Sequence, residues 1–193
     1  CDLIIVACNT ASSEALRKIQ QEFIPAHAPT KKVLGVLIPA AEEAMRISKS
    51  HRIGIIATRG MVASRSFIRE LSKFDTSMKV FQKACPLLVP LVEAGKRNDP
   101  ETKKILRDYL TPLLRKNIDT LVLGCTHYGI LEKHIRAIVG PHIQIISEAK
   151  TVPKKLRAYM KKHSALEKQL SKRPRVHFYS TDLTDKFTML GSK

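Results

Sequence analysis

Cys8 and Cys125 close two segments of the same design, LIIVACNT (residues 3–10) and TLVLGCTH (residues 120–127). Each is a short apolar run rich in β-branched residues, then one thiol, small polar residues and a helical stretch. A thiol at the carboxyl end of a parallel strand stands where open α/β sheets bind their ligands. The helix that follows offers free backbone N–H groups and a positive dipole end, both of which favour a thiolate. Two such half-sites facing each other would make a paired-thiol centre. Each cysteine alone is more often a small core hydrophobe than a catalyst, so the residues by themselves leave both readings open. Cys85, ahead of Pro86 in a run of leucines and valines, is expected to be structural, and Cys1 carries no argument.

The elements that must position these thiols follow from periodicity. Strands are expected at 3–7, 33–36, 52–57, 78–83, 120–124, 143–146 and 176–179, and helices at 11–23, 40–48, 61–74, 87–94, 101–115, 130–139 and 153–170. This alternation predicts an α/β fold of doubly wound parallel sheets with helices on both faces. Breaks at 24–32, which holds two prolines and ends the first helix, and at Gly140-Pro141 suggest two domains. Residues 1–31 plus 146–193 would form the first and residues 32–145 the second.

Composition narrows the function. The chain has 193 residues, 44% of them hydrophobic, no tryptophan and only 5% aromatics, so it can build a sizeable and mainly aliphatic core. It holds no membrane-length apolar run and no signal-peptide pattern, and a cytoplasmic protein is expected. The four cysteines show no CxxC pair and no zinc-ligand spacing, so reduced thiols are expected and a structural metal is not. Gly54 and Gly60 form no phosphate loop. The formal charge of +17 raises nucleic acid as a partner. Its densest stretch, residues 150–177, has ten Lys or Arg against the single acid Glu167. There Leu156, Tyr159, Met160 and His163 recur at helical spacing, as in the solvated face of one helix, and no base-stacking aromatic cluster accompanies them. Solvated surface is the preferred reading, and neither nucleic acid nor membrane is expected as a partner.

Four motifs in order give the chain a family resemblance. VACNTAS (6–12), IGIIATRG (53–60), CPLLVPLVEAG (85–95) and LVLGCTHYGIL (121–131) resemble those of bacterial glutamate racemase, in the aspartate/glutamate racemase superfamily. The likeness runs from about Cys1 to Tyr179. It implies two α/β domains of similar design and a cofactor-independent racemase of glutamate, which supplies D-glutamate for peptidoglycan. Cys8 and Cys125 would act as acid and base on opposite faces of the substrate carbon, a task a thiol can perform in both directions when its pKa is tuned towards neutrality. His127 would assist Cys125, and Glu93 would orient a thiol or the substrate ammonium. Asn9, Thr10 and Thr126 would bind the substrate. A dual-thiol mechanism needs no pyridoxal phosphate, and members of the family are often dimers.

Several positions depart from the family pattern. Gly129 stands where Pro is usual, Met61 where Thr is usual, and Ser147-Glu148 where the family has Asp-Ser. Family members also begin with a segment carrying an Asp-Ser-Gly motif that has no counterpart here. The chain is therefore expected to be a fragment or a shortened product whose first domain lacks its leading βα unit. The competing readings are a sister racemase or isomerase of aspartate or another small acid, and a non-catalytic basic α/β binding protein.

Overall fold

The structure, a computed structural model, describes residues 1–173 and 175–181. In chain order it runs through β1 (Leu3–Val6), α1 (Asn9–Glu14), α2 (Leu16–Lys18), a π-helical turn (Ile19–Phe23), α3 (Ile24–His27), β2 (Lys32–Gly35) and α4 (Leu37–Ile47). Then come β3 (Arg52–Ala57), α5 (Arg59–Ser64), α6 (Ser66–Ser72), β4 (Lys79–Ala84), α7 (Leu88–Glu93) and α8 (Pro100–Leu114). The last part comprises β5 (Thr120–Gly124), a 3₁₀ turn (Thr126–Leu131), α9 (Glu132–Val139), β6 (Gln144–Ile146), α10 (Glu148–Lys162) and α11 (Ser164–Gln169).

All strand pairs are parallel. β4, β3, β5 and β6 lie side by side in that order, and β1 pairs with β2 in a separate two-stranded sheet. The side-chain period of two sorts the four-stranded sheet into two cores. Ile53, Ile55, Ala57 and Val122 point to α4, α5 and α6, where Ala40, Ala41, Ala44, Met61, Phe67 and Leu71 are buried. Ile56, Leu121 and Leu123 point the other way, onto Leu88 of α7, Leu106 and Leu110 of α8 and Ile135 of α9. Strands covered on both faces read as nearly continuous apolar runs, which is why IGIIA and TLVLG carry almost no polar residues. The two-stranded sheet is less covered, and Ile4 and Ile5 of β1 are exposed.

The expected division put the strand near residue 33 with the later unit. Its register, Leu3 opposite Lys32 through Val6 opposite Gly35, joins it to the first sheet instead. Periodicity reports that a strand exists but not which edge it joins. The strand expected at 176–179 is absent: Val176, Phe178 and Tyr179 are 73%, 78% and 88% exposed and pair with no sheet edge. A β-prone run without a neighbouring edge has no hydrogen-bonding partner to hold it extended. The first helix does not end near residue 23 but stays helical to His27. Pro25 sits in the first turn of α3, where its missing N–H costs little, and the π-helical turn before it absorbs the change of register. Arg65, at φ 53°, divides the stretch expected as one helix at 61–74 into α5 and α6. The lysine-rich helix begins at Glu148, five residues before its expected start, and carries Pro153 inside its first two turns.

Candidate active site

The two thiols hold equivalent places in the two sheets. Cys8 follows β1 and caps the amino end of α1, its carbonyl accepting from the Ser12 N–H at 2.8 Å. Cys125 follows β5 directly and caps the 3₁₀ turn, its carbonyl accepting from the Tyr128 N–H at 3.0 Å. The local design is the same in one respect: at each place a parallel strand turns into a helical segment, and the thiol residue at the corner keeps an extended backbone. Gly124 completes the corner on the Cys125 side. A Cβ there would lie 2.9 Å from the Phe67 ring and 3.1 Å from the Ile56 carbonyl oxygen.

Cys125 is half-buried, and burial pushes its thiol up from the usual range. The backbone N–H groups of His127 and Tyr128 pull it down, while the negative charges of Glu148 and of a Cys8 thiolate push it up further. The helix-start N–H groups thus favour the thiolate as expected, but desolvation outweighs them. Cys8 itself is exposed.

Behind Cys125 stands a chain of titratable groups. Its Sγ is 3.8 Å from His127 Nδ1, and His127 Nε2 is 3.4 Å from Glu93 Oε1. Glu93 is the last residue of α7, which Gly95 closes at φ 72° with its N–H on the Val92 carbonyl. A carboxylate, an imidazole and a thiol in sequence form the arrangement by which a base is oriented and a proton held or released.

Asn9 and Thr10 point across the chain. Asn9 is 2% exposed, and its Nδ2 donates to Glu148 Oε1. The Thr10 and Thr58 hydroxyls share a hydrogen bond of 3.0 Å, and Thr58 caps α5 by accepting from the Met61 N–H. Met61 is fully buried in the apolar core. The residue that stands in place of the usual Thr is therefore a core residue.

A pocket of about 240 Å³ lies over this corner, lined among others by Ala7, Cys125, Thr126, Gly129 and Glu148. Cys8 stands outside that lining and next to Ala7. The expected residues thus gather in two groups, Cys125, Thr126, His127 and Glu93 in one, Asn9 and Thr10 beside Cys8 in the other. Cys85 takes the structural place expected of it. It is buried with its thiol pushed up to about 12 by desolvation, and the Tyr128 hydroxyl donates to its carbonyl at 2.9 Å.

Two residues of the site have no role in the sequence reading, Thr58, which lies within the IGIIATRG motif, and Glu148. Glu148 is 5% exposed, and burial pushes its carboxyl up to about 7 against the pull of the Asn9 amide. Only the departure from Asp-Ser at residues 147–148 signalled that position. Among the described residues no group of three or more His, Cys, Asp or Glu is arranged to hold a metal ion, and no helix is long and apolar enough to cross a membrane.

A family model, Asp/Glu/Hydantoin racemase, matches residues 1–152. The chain belongs to the Asp/Glu/Hydantoin racemase family. Relatives at about 40% identity include glutamate racemases. That of Chlorobaculum parvum is 42% identical over 188 residues, covering 97% of this chain and 67% of its own length. A crystal structure of glutamate racemase from Francisella tularensis in complex with D-glutamate superposes with a TM-score of 0.85 at 28% identity, covering 99% of this chain and 68% of that one. Glutamate racemase from Bacillus anthracis gives a TM-score of 0.78 at 34% identity, over 86% of this chain and 60% of that one. The chain spans about half to two thirds of the length of the racemases it matches. With these matches the α/β fold with parallel sheets is that of glutamate racemase structures.

Proposed function

We propose that the protein interconverts L- and D-glutamate without a cofactor, by proton transfer between the substrate Cα and the two thiols, Cys8 and Cys125. The carrying observation is the equivalent placement of these thiols at the carboxyl ends of the parallel strands β1 and β5, each at the start of a helical turn. It is supported by the D-glutamate bound to the Francisella tularensis relative. One thiolate takes the α-proton, leaving its electron pair on Cα as a carbanion delocalised into the adjacent carboxylate. The other thiol then gives its proton to the opposite face. Reversal exchanges the roles, and proton exchange with solvent or His127 restores the starting thiol and thiolate.

The raised Cys125 thiol suits the donor role, and the Glu93–His127 pair suits the proton hand-off that readies it as a base. Asn9, Thr10 and Thr126 would hold the substrate's polar groups. A pocket of about 240 Å³ falls below the ~300–1,000 Å³ typical of drug-sized ligands, and it leaves room for a small ligand on the Cys125 side. In the cell the activity would be cytoplasmic and would supply D-glutamate to peptidoglycan. The two sheets would belong to two units, each providing one thiol, with α10 returning to pack on α4.

The test is loss of optical activity from L-glutamate and separately from L-aspartate, with no cofactor added. Loss with glutamate supports the proposal. Loss with aspartate alone would reassign the substrate, and loss with neither would overturn the enzymatic reading of this chain.

A further inference from the structure

Glu148 is the one buried carboxyl at the site that the thiol mechanism leaves unused. It opens α10 beneath the pocket that Cys125 and Thr126 line, and its Oε1 accepts from the Asn9 amide of α1. Its Oε2 and the Asn9 Oδ1 are both buried and have no hydrogen-bond partner among the described residues. The groups facing it are Asn9 from α1 and, through its charge, Cys125 from the corner after β5. On its own helix, Lys150 pairs with Glu132 and Lys155 with Glu42, and no cation of α10 is among the causes of the Glu148 shift. Cys125 in turn is faced by Glu148, Cys8 and His127, with Glu93 behind the imidazole.

We propose that Glu148 is a positioning residue that holds the Asn9 amide and, by gaining or losing its own proton, sets how readily the Cys125 thiol ionises. A neutral Glu148 still accepts from Asn9 and leaves the thiolate unopposed. An ionised Glu148 places a second negative charge in the same poorly solvated corner, and the thiolate is disfavoured. The proton passes between carboxyl and solvent, so no other reactant is needed. Burial brings the carboxyl to about 7, so that the switch falls within the physiological range. The inference deepens the proposed thiol site, yet it concerns ionisation in the protein without substrate.

The test is the rate of iodoacetamide alkylation at Cys125 from about pH 6 to 10.5, read by peptide mass spectrometry in the wild type and in Glu148→Gln. The amide keeps the acceptor for Asn9 and removes the charge. The Cys125 midpoint is expected to fall in the variant, with alkylation at pH 8 faster by on the order of tenfold. Buried Cys85 in the same samples reports the fold, because it stays unreactive only while the core is closed. An unchanged Cys125 midpoint with Cys85 still protected overturns the proposal. Carbon-13 titration of the wild-type glutamate carboxyls gives a second reading that needs no variant. One carboxyl titrating near neutrality supports the proposal, and all of them titrating below about pH 5.5 overturns it. Both readings are made without substrate, so their failure would leave the racemase reading standing, and a lack of racemisation would leave Glu148's role intact.

Discussion

Asn9 and Glu148, 139 positions apart in the chain, meet in the interior, the amide nitrogen of one donating to the carboxyl oxygen of the other. The contact ties the start of α1, which follows the Cys8 strand, to the start of α10, which lies under the Cys125 pocket. It also has a consequence for stability. Burial raises the Glu148 carboxyl from 4.5 to about 7 in the folded protein. The folded state therefore holds this proton more tightly than the unfolded chain. The resulting stability is fully present below the unfolded value and is lost as pH rises through about 7. Glu148→Gln removes the dependence. Between pH 5 and pH 8 the variant should gain on the wild type by on the order of 3 kcal/mol, measured by urea unfolding at each pH. Parallel pH profiles would contradict the burial of an ionisable group there.

The cysteines should react in an order set by exposure and desolvation. Cys8 is exposed, Cys125 half-buried with its thiol raised, and Cys85 buried with its thiol raised to about 12. At pH 7.5 a limiting amount of a maleimide should label Cys8 ahead of Cys125. Cys85 should be labelled only in denaturant. Labelling of Cys125 as fast as Cys8 would mean that the pocket corner is solvated.

Gly124→Ala tests the corner that aims Cys125. The added methyl meets the Phe67 ring, the Ile56 carbonyl and Ala57 Cβ at 2.9, 3.1 and 3.2 Å. Overpacking of this kind costs about 1–3 kcal/mol. Because two of the contacts are with the neighbouring strand, relief moves the end of β5 and the thiol with it. A lower denaturation midpoint together with altered Cys125 alkylation is expected. An unchanged alkylation rate would show that the corner tolerates a side chain.

Glu93→Gln tests the group behind His127. Glu93 Oε1 lies 3.4 Å from His127 Nε2 with both side chains partly exposed, so the effect should be moderate. A fall in kcat for glutamate racemisation of about tenfold, with KM little changed, is expected. A raised KM with unchanged kcat would instead assign Glu93 to substrate binding.

Much of the scaffold was legible because fully buried parallel strands declare themselves as apolar runs. IGIIA and TLVLG match β3 and β5, and the two strand-thiol-helix units stand after β1 and β5. Pairing was less legible. Val33 reads as a strand residue in any sheet, and only the register Ile4 to Val33 shows which one. The run at 176–179 has β-prone residues but no edge beside it. Glu148 was hidden for a different reason: a carboxylate in a lysine-rich helix reads as solvated, and its burial depends on α1 approaching from the other end of the chain. Thr58 lay in plain sight within IGIIATRG, but its hydrogen bond to Thr10, 48 positions away, depends on tertiary packing.

The most direct test of the two-thiol account is deuterium incorporation at Cα in heavy water, with D- and L-glutamate supplied separately to the wild type, Cys8→Ser and Cys125→Ser. The wild type should label the inverted product of each enantiomer. Each variant should lose inversion, and any residual exchange should be confined to one enantiomer, opposite for the two variants. Full racemisation by either variant, with label entering both enantiomers alike, would contradict the assignment of Cys8 and Cys125 to opposite faces of the substrate.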